Sequence, residues 1–147
     1  MDRAQENAIE IAKWLKEQDI VKKVVYPGFK EHPGYEIMKK QARGFGAMLT
    51  FELTKKEYAI NILEKVRMIK YAESLGGVET LITYPMTQTH ADVPEHIRKQ
   101  NGITDCVLRM SVGIENVKDL LNEFHLNRKD VKKVICLLYT SDAADEA

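Results

Sequence analysis

Arg109 stands in the middle of the strand-like run Cys106-Val107-Leu108-Arg109-Met110-Ser111-Val112-Gly113-Ile114-Glu115. Side chains alternate faces along a strand, so Cys106, Leu108, Met110 and Val112 share one wholly apolar side, and Val107, Arg109 and Ser111 share the other. A charge held near a core persists only when it is paired and hydrogen-bonded. The planar guanidinium offers a carboxylate two parallel charge-assisted bonds. The carboxylate could belong to a nearby Asp or Glu, making a structural ion pair, or to a ligand. Some thirty residues earlier lies Ala72-Glu73-Ser74-Leu75-Gly76-Gly77, a small polar corner bounded by glycines. Together the two segments suit the carboxylate of an amino acid. Thr87-Gln88-Thr89-His90 is a polar loop with a histidine, but no nucleophile is paired to it, which favours a hydrogen-bonded loop residue over a catalytic one.

The elements that must hold these residues follow from periodicity. Asp2 to about Gln18 reads as an amphipathic helix with Ala4, Ala8, Ile11, Ala12 and Leu15 on one stripe. Val24-Val25-Tyr26 is a short strand stopped at Pro27-Gly28. Pro33 is placed to open a short helix through Lys40, since its missing donor costs nothing in a first turn. Ala47, Leu49, Phe51 and Leu53 alternate as a half-buried strand. Thr54-x-x-Glu57 predicts a capped helix with Ala59, Ile62, Leu63 and Val66 inward. Residues 68 to 71 and Thr80 to Tyr84 are strand-like. Asp92-x-x-Glu95 predicts a cap for a short helix with Pro94 in its first turn, and Asn116 caps a last helix with Val117, Leu120, Leu121 and Phe124 inward. The fold class is α+β: a small, largely antiparallel sheet covered by helices on one face.

Length and composition exclude several classes. The 147 residues suit one domain with a real core, and 44% hydrophobic with 30% charged residues is ordinary for a soluble globular chain. No apolar run approaches the roughly 20 residues of a membrane span, and no signal peptide opens the chain. Two cysteines form no disulfide framework, and His32, His90, His96 and His125 have no metal-ligand spacing. A cytoplasmic setting, with no nucleic acid, membrane or metal partner, is the expectation. Gly44-Phe45-Gly46 precedes a strand, where a dinucleotide fingerprint would follow one, so it leads into that strand. Lys39-Lys40 and Lys129 to Lys133 read as solvated basic faces, and Trp14 and Tyr58 as packing residues.

The sequence resembles the C-terminal domain of the pyridoxal-phosphate-dependent trans-sulfuration enzymes of cysteine and methionine metabolism. The resemblance is carried, in order, by Tyr26-Pro27-Gly28, His32-Pro33, Gln41-Ala42-Arg43-Gly44-Phe45-Gly46, Ala72 to Ile82, Thr89-His90-Ala91 and Leu108 to Glu115. It implies that Arg109 holds the substrate's α-carboxylate, that Ser74 and Thr89 lie beside it, and that Glu73 lies near the distal end of the substrate. Glutamate at that position is more like cystathionine γ-synthase and γ-lyase; cystathionine β-lyase and methionine γ-lyase remain alternatives. The implied cofactor, pyridoxal 5′-phosphate, is an electron sink for carbanion character beside the reacting C–S or ester bond. The family's Schiff-base lysine, phosphate cradle, ring stacker and pyridine-nitrogen partner lie upstream of what corresponds to Met1. No lysine here stands in the family's lysine motif. The resemblance therefore implies a C-terminal fragment with no catalytic or cofactor-binding residue of its own, and a homotetramer for the whole enzyme. A free-standing amino-acid-binding module or a truncated, inert frame are the other expectations.

Domain boundaries are expected at 1–126 for the family domain, 127–135 for an extension and 136–147 for a non-native tail. Cys136-Leu137-Leu138-Tyr139-Thr140-Ser141-Asp142-Ala143-Ala144-Asp145-Glu146 resembles a translated transposase sequencing adapter. Without Asp142, Asp145 and Glu146, the 22 acidic residues fall to 19 against 22 basic ones, a net charge of about +3.

Overall fold

The computed structural model describes residues 1–90 and 92–124. The expected 126/127 boundary, the extension and the adapter-like tail lie outside the described residues, as do Ala91, His125 and the Lys129 to Lys133 cluster. In chain order the elements are α1 (Asp2–Lys16), β1 (Val21–Val25), α2 (Tyr35–Gln41), β2 (Met48–Leu53), α3 (Lys56–Lys65), β3 (Lys70–Tyr71), β4 (Leu81–Thr83), α4 (Glu95–Gln100), β5 (Val107–Ser111) and α5 (Val117–Glu123). The five strands form one sheet in the order β1-β2-β5-β4-β3. Its pairs are antiparallel except β3 with β4. The α+β class and the mostly antiparallel sheet are as the sequence predicts. Among the described residues no helix is long and apolar enough to cross a membrane.

One face of the sheet carries the core. Ala4, Ala8, Ile11, Ala12 and Leu15 of α1 are all buried, and they meet Leu49, Phe51 and Leu53 of β2, Leu108 and Met110 of β5, and Ile82 of β4. Ala59 and Ile62 of α3 and Leu120 of α5 complete the layer, while Val117, Leu121 and Leu63 pack partly buried against it. Phe124, just past α5, lies with its ring centroid 5.5 Å from Trp14 and 6.1 Å from Phe51, which confirms Trp14 as a packing residue. The helices α2 and α4 bury no residue. Removing apolar area of this kind from water contributes about 1.5–3 kcal/mol for each fully buried large side chain.

Four local expectations need correction, each because backbone geometry overrides a short motif. Pro33 does not open α2. The amides of Phe29, His32 and Tyr35 bond back to Tyr26, Phe29 and His32, so consecutive turns occupy this stretch and the helix starts at Tyr35 behind Gly34. Thr54 does not cap α3: its amide donates to the Ile20 carbonyl at 2.8 Å, and the N-cap is Lys55 without a side-chain cap. Asp92 does not cap α4, whose N-cap is Pro94 itself. The first strand starts at Val21, earlier than its valine pair suggests, and a bulge between Val21 and Lys23 shifts its register. Asn116 does cap α5, its side chain accepting from the Lys118 amide at 2.9 Å.

A polar knot ties the end of β5 to the rest of the molecule. Asn7, almost fully buried on α1, donates to the carbonyls of Gly113 and Glu115 at 3.0 and 2.8 Å. Glu115 accepts from the Thr80 amide and hydroxyl at 2.5 and 2.8 Å, and the Gly113 amide donates to the Thr80 hydroxyl at 2.9 Å. A Cβ at Gly113 would lie closer than 3.0 Å to the Val78 carbonyl oxygen, the Glu79 carbonyl carbon and the Glu115 carboxylate. Two of these are backbone and cannot rotate away. Gly113→Ala is expected to lower the unfolding free energy by about 2 kcal/mol or more, read from denaturant unfolding followed by circular dichroism.

Candidate functional site on the open face of the sheet

Residues directly opposite one another on neighbouring strands point to the same face. Arg109 on β5 is opposite Thr50 on β2 and Thr83 on β4, while Leu108 and Met110 are opposite Phe51 and, on the two sides, Leu49 and Ile82. Leu108 and Met110 are fully buried in the core. The alternation therefore turns Arg109, with Val107 and Ser111, onto the face that α1, α3 and α5 do not cover.

Arg109 is partly buried at the wall of a cavity of about 360 Å³. The sheet supplies Lys23, Val25, Thr50, Glu52, Val107 and Arg109 to that cavity; its rim comes from Pro85, His90 and the Asn101–Ile103 segment that follows α4. Glu52 is engaged by Lys22, with Nζ 2.8 Å from Oε1. Among the described residues no Asp or Glu lies within ion-pair distance of Arg109. Of the two carboxylate sources open from the sequence, the structural ion pair is thus not formed among these residues.

The other three residues singled out by the sequence are distributed around this face. Glu73 and Ser74 are exposed on the segment between β3 and β4 and do not line the cavity. That segment is fastened on both sides of them. The Thr83 hydroxyl donates to the Ala72 carbonyl at 2.9 Å, and the Gly76 amide donates to Ser111 Oγ at 3.0 Å. Thr89 is exposed, with its Oγ1 2.7 Å from His90 Nδ1, and His90 rather than Thr89 reaches the cavity rim. The histidine is held as a loop residue, its amide donating to the Pro85 carbonyl at 3.0 Å. The polar neighbours that the sequence reading did not single out are Thr50 and Thr83. Their only sequence signal is a threonine at an outward position of a predicted strand, which becomes informative once strand pairing is known.

Beyond the second end of this face, Leu75, Gly76, Gly77 and Ser111 border another cavity of about 330 Å³, closed by Phe45 and Met48. Gly44-Phe45-Gly46 leads into β2 as expected and is fixed by Gln5 of α1, whose Oε1 accepts from the Phe45 and Gly46 amides at 2.5 and 3.1 Å. Cys106 precedes β5, and burial pushes its thiol pKa up, with the bond to Asp105 adding to the effect. A raised thiol pKa disfavours the thiolate that a nucleophile needs.

The described residues do not fit pyridoxal phosphate as a resident group. Its covalent anchor is a desolvated lysine. Among the described residues every lysine is exposed except Lys65, partly buried on α3 at the helical side of the sheet. The open face fits an incoming carboxylate and does not offer that anchor. Because no carboxylate of the described residues compensates Arg109, Arg109→Gln is expected to change the unfolding free energy by less than about 1 kcal/mol, whereas breaking a buried ion pair would cost about 3–5 kcal/mol. Urea denaturation of the two chains separates these outcomes.

Known proteins share this sequence and this architecture. Residues 1–127 match the family described as Cys/Met metabolism PLP-dependent enzyme. A cystathionine beta-lyase of Lactococcus lactis subsp. cremoris is 45% identical over 123 residues, covering 84% of this chain and 32% of the relative. A cystathionine gamma-lyase of Bacillus subtilis is 42% identical over 123 residues, with the same two coverages, 84% and 32%. The crystal structure of cystathionine gamma synthase from Xanthomonas oryzae pv. oryzae in complex with cystathionine superposes with a TM-score of 0.81 at 40% identity, over 90% of this chain and 35% of that one. The chain spans about a third of the length of the curated relatives it matches. With the family matched over 127 of 147 residues, this chain belongs to the pyridoxal-phosphate-dependent enzymes of cysteine and methionine metabolism.

Proposed function

We propose that the chain is the substrate-carboxylate-binding part of a trans-sulfuration enzyme that forms or cleaves C–S bonds in cysteine and methionine metabolism. The observation that carries this reading is Arg109, a partly buried guanidinium at a cavity wall with no carboxylate partner among the described residues. An α-carboxylate would satisfy it through two parallel bonds and fix the orientation of the amino acid. Ser74 and Thr89 are assigned beside that carboxylate, and Glu73 toward the far end of the substrate. Thr50 and Thr83, opposite Arg109, are polar neighbours of the same face. The family's cofactor supplies the electron sink, and the role assigned to this chain is to bind and orient.

Relatives named as β-lyase and γ-lyase match at 45% and 42% identity, and the γ-synthase structure at 40%. These values do not separate the reactions. Glu73 favours a γ-synthase or γ-lyase role, with β-lyase or methionine γ-lyase as alternatives. Cystathionine, common to the β-lyase, γ-lyase and γ-synthase names, is the substrate or product we assign to the whole enzyme, which we take to be a cytoplasmic homotetramer.

The chain alone is proposed to be inactive, with the Schiff-base lysine on protein that lies outside this sequence. Exposed apolar side chains support that division. Leu75, Val78 and Ile114 are 62%, 65% and 50% exposed, and the Ile114 amide donates to the Val78 carbonyl at 2.9 Å, so two of them adjoin on one surface. A clustered apolar surface of this kind suits contact with further protein. The exposed lysines of the described residues also favour a second reading, in which the chain binds an amino acid without chemistry.

The clamp is tested by titrating the 147-residue chain and its Arg109 variants with L-cystathionine and following the backbone amide NMR signals. Arg109→Ala is expected to weaken binding about tenfold or more, and Arg109→Lys to restore only part of it, because the ammonium lacks the planar fork. Unchanged affinity in Arg109→Ala would remove the carboxylate reading. Incubation with equimolar pyridoxal phosphate and borohydride is expected to leave no stoichiometric pyridoxyl-lysine in a peptide map. One fully labelled lysine would overturn the division of labour.

A further inference from the structure

Two hydroxyls on the Arg109 face are spent on the backbone of the neighbouring segment. Thr83 is directly opposite Arg109, and Ser111 lies two residues further along the same strand, so both share its face. They are 2% and 4% exposed. Thr83 donates to the Ala72 carbonyl and Ser111 accepts from the Gly76 amide, at 2.9 and 3.0 Å. The segment between these points is only Glu73, Ser74 and Leu75. One anchor therefore stands level with Arg109 on the neighbouring strand, and the other two residues further along β5. Gly76 has a φ of 76°, a backbone conformation that L side chains rarely adopt.

The ladder itself does not hold this corner. The pairing of β3 with β4 covers Lys70 and Tyr71, and the Ala72 amide adds a last bond to the Ile82 carbonyl. Beyond that point the backbone leaves the sheet, and the side chains of Glu73 and Ser74 make no hydrogen bond to another described residue. Hydroxyls are the groups that can satisfy a carbonyl on one side of the corner and an amide on the other. A segment ordered before the ligand arrives loses less conformational freedom on binding.

We propose that Thr83 and Ser111 are positioning residues: their hydroxyls clip the 72–76 segment to the sheet so that the Ser74 corner is preset beside the Arg109 guanidinium. The inference rests on the carboxylate-clamp reading. Neither hydroxyl needs to touch the substrate, since each acts through the backbone it holds.

The test uses the full 147-residue chain carrying Thr83→Val with Ser111→Ala, beside Thr83→Ser, which keeps the hydroxyl. Amide exchange of residues 73–77 is measured by NMR, and L-cystathionine is the titrant. Losing the clip is expected to speed Gly76 exchange about tenfold and to weaken binding about threefold to tenfold, the range of one net hydrogen bond. Thr83→Ser is expected to stay within about twofold of the parent on both readouts. A purely structural role would leave the affinity of the folded double variant unchanged. If Arg109→Ala has lost binding while the double variant retains parental affinity, the clip is overturned and the clamp stands. If Arg109→Ala binds as the parent does, clamp and clip fall together. Should the double variant not fold, Ser111→Ala alone must speed Gly76 exchange, and unchanged exchange there overturns the inference.

Discussion

The alternation of β5 is the constraint on which the rest of the site depends. Leu108 and Met110 are sealed between the sheet and its helices, and Arg109 lies between them in sequence. With a side-chain period of two, burying its neighbours commits Arg109 to the opposite face. A one-residue slip would drive a guanidinium into the core and two large apolar groups into water. Core packing therefore fixes the position of the charged group, and a site on this face inherits the rigidity of the core behind it.

Around that fixed point the molecule is tied with polar groups. The Asn7, Thr80 and Glu115 knot closes the end of β5, and Gln5 holds the lead into β2. Both devices start from α1, which also supplies one wall of the core. The same helix thus packs the apolar side of the sheet and reaches around its edge to the loops. This arrangement suits a face that is left open, because the backbone at its margins is satisfied without covering the guanidinium.

Family membership gives this open face its meaning. The match runs through residues 1–127, yet spans about a third of the matched relatives. On the proposed reading, the open face and the exposed apolar Leu75, Val78 and Ile114 suit contact with further protein. An arginine without a counter-charge among the described residues is costly as decoration and, on the proposed reading, apt as half of a binding site.

Much of this was legible in the sequence. The α1 stripe, the alternation of β2 and β5, the Asn116 cap and the α+β class follow from spacing alone, because burial imposes periods of 3.6 and 2 on any chain that folds this way. The motifs around Ser74, Thr89 and Arg109 carried the family. The local capping signals misled at Pro33, Thr54 and Asp92, where the amides of Tyr35 and Thr54 and the turn before Pro94 were committed to other partners. A motif of four residues cannot reveal such commitments. Nor could the sequence tell whether Arg109 has a protein carboxylate, or that Thr83 opposite it and Ser111 further along its strand turn their hydroxyls to the 72–76 backbone. Those facts depend on which strands lie side by side and in what register. Residue order decides which face a side chain takes along its own strand, and only strand pairing decides who its neighbours are.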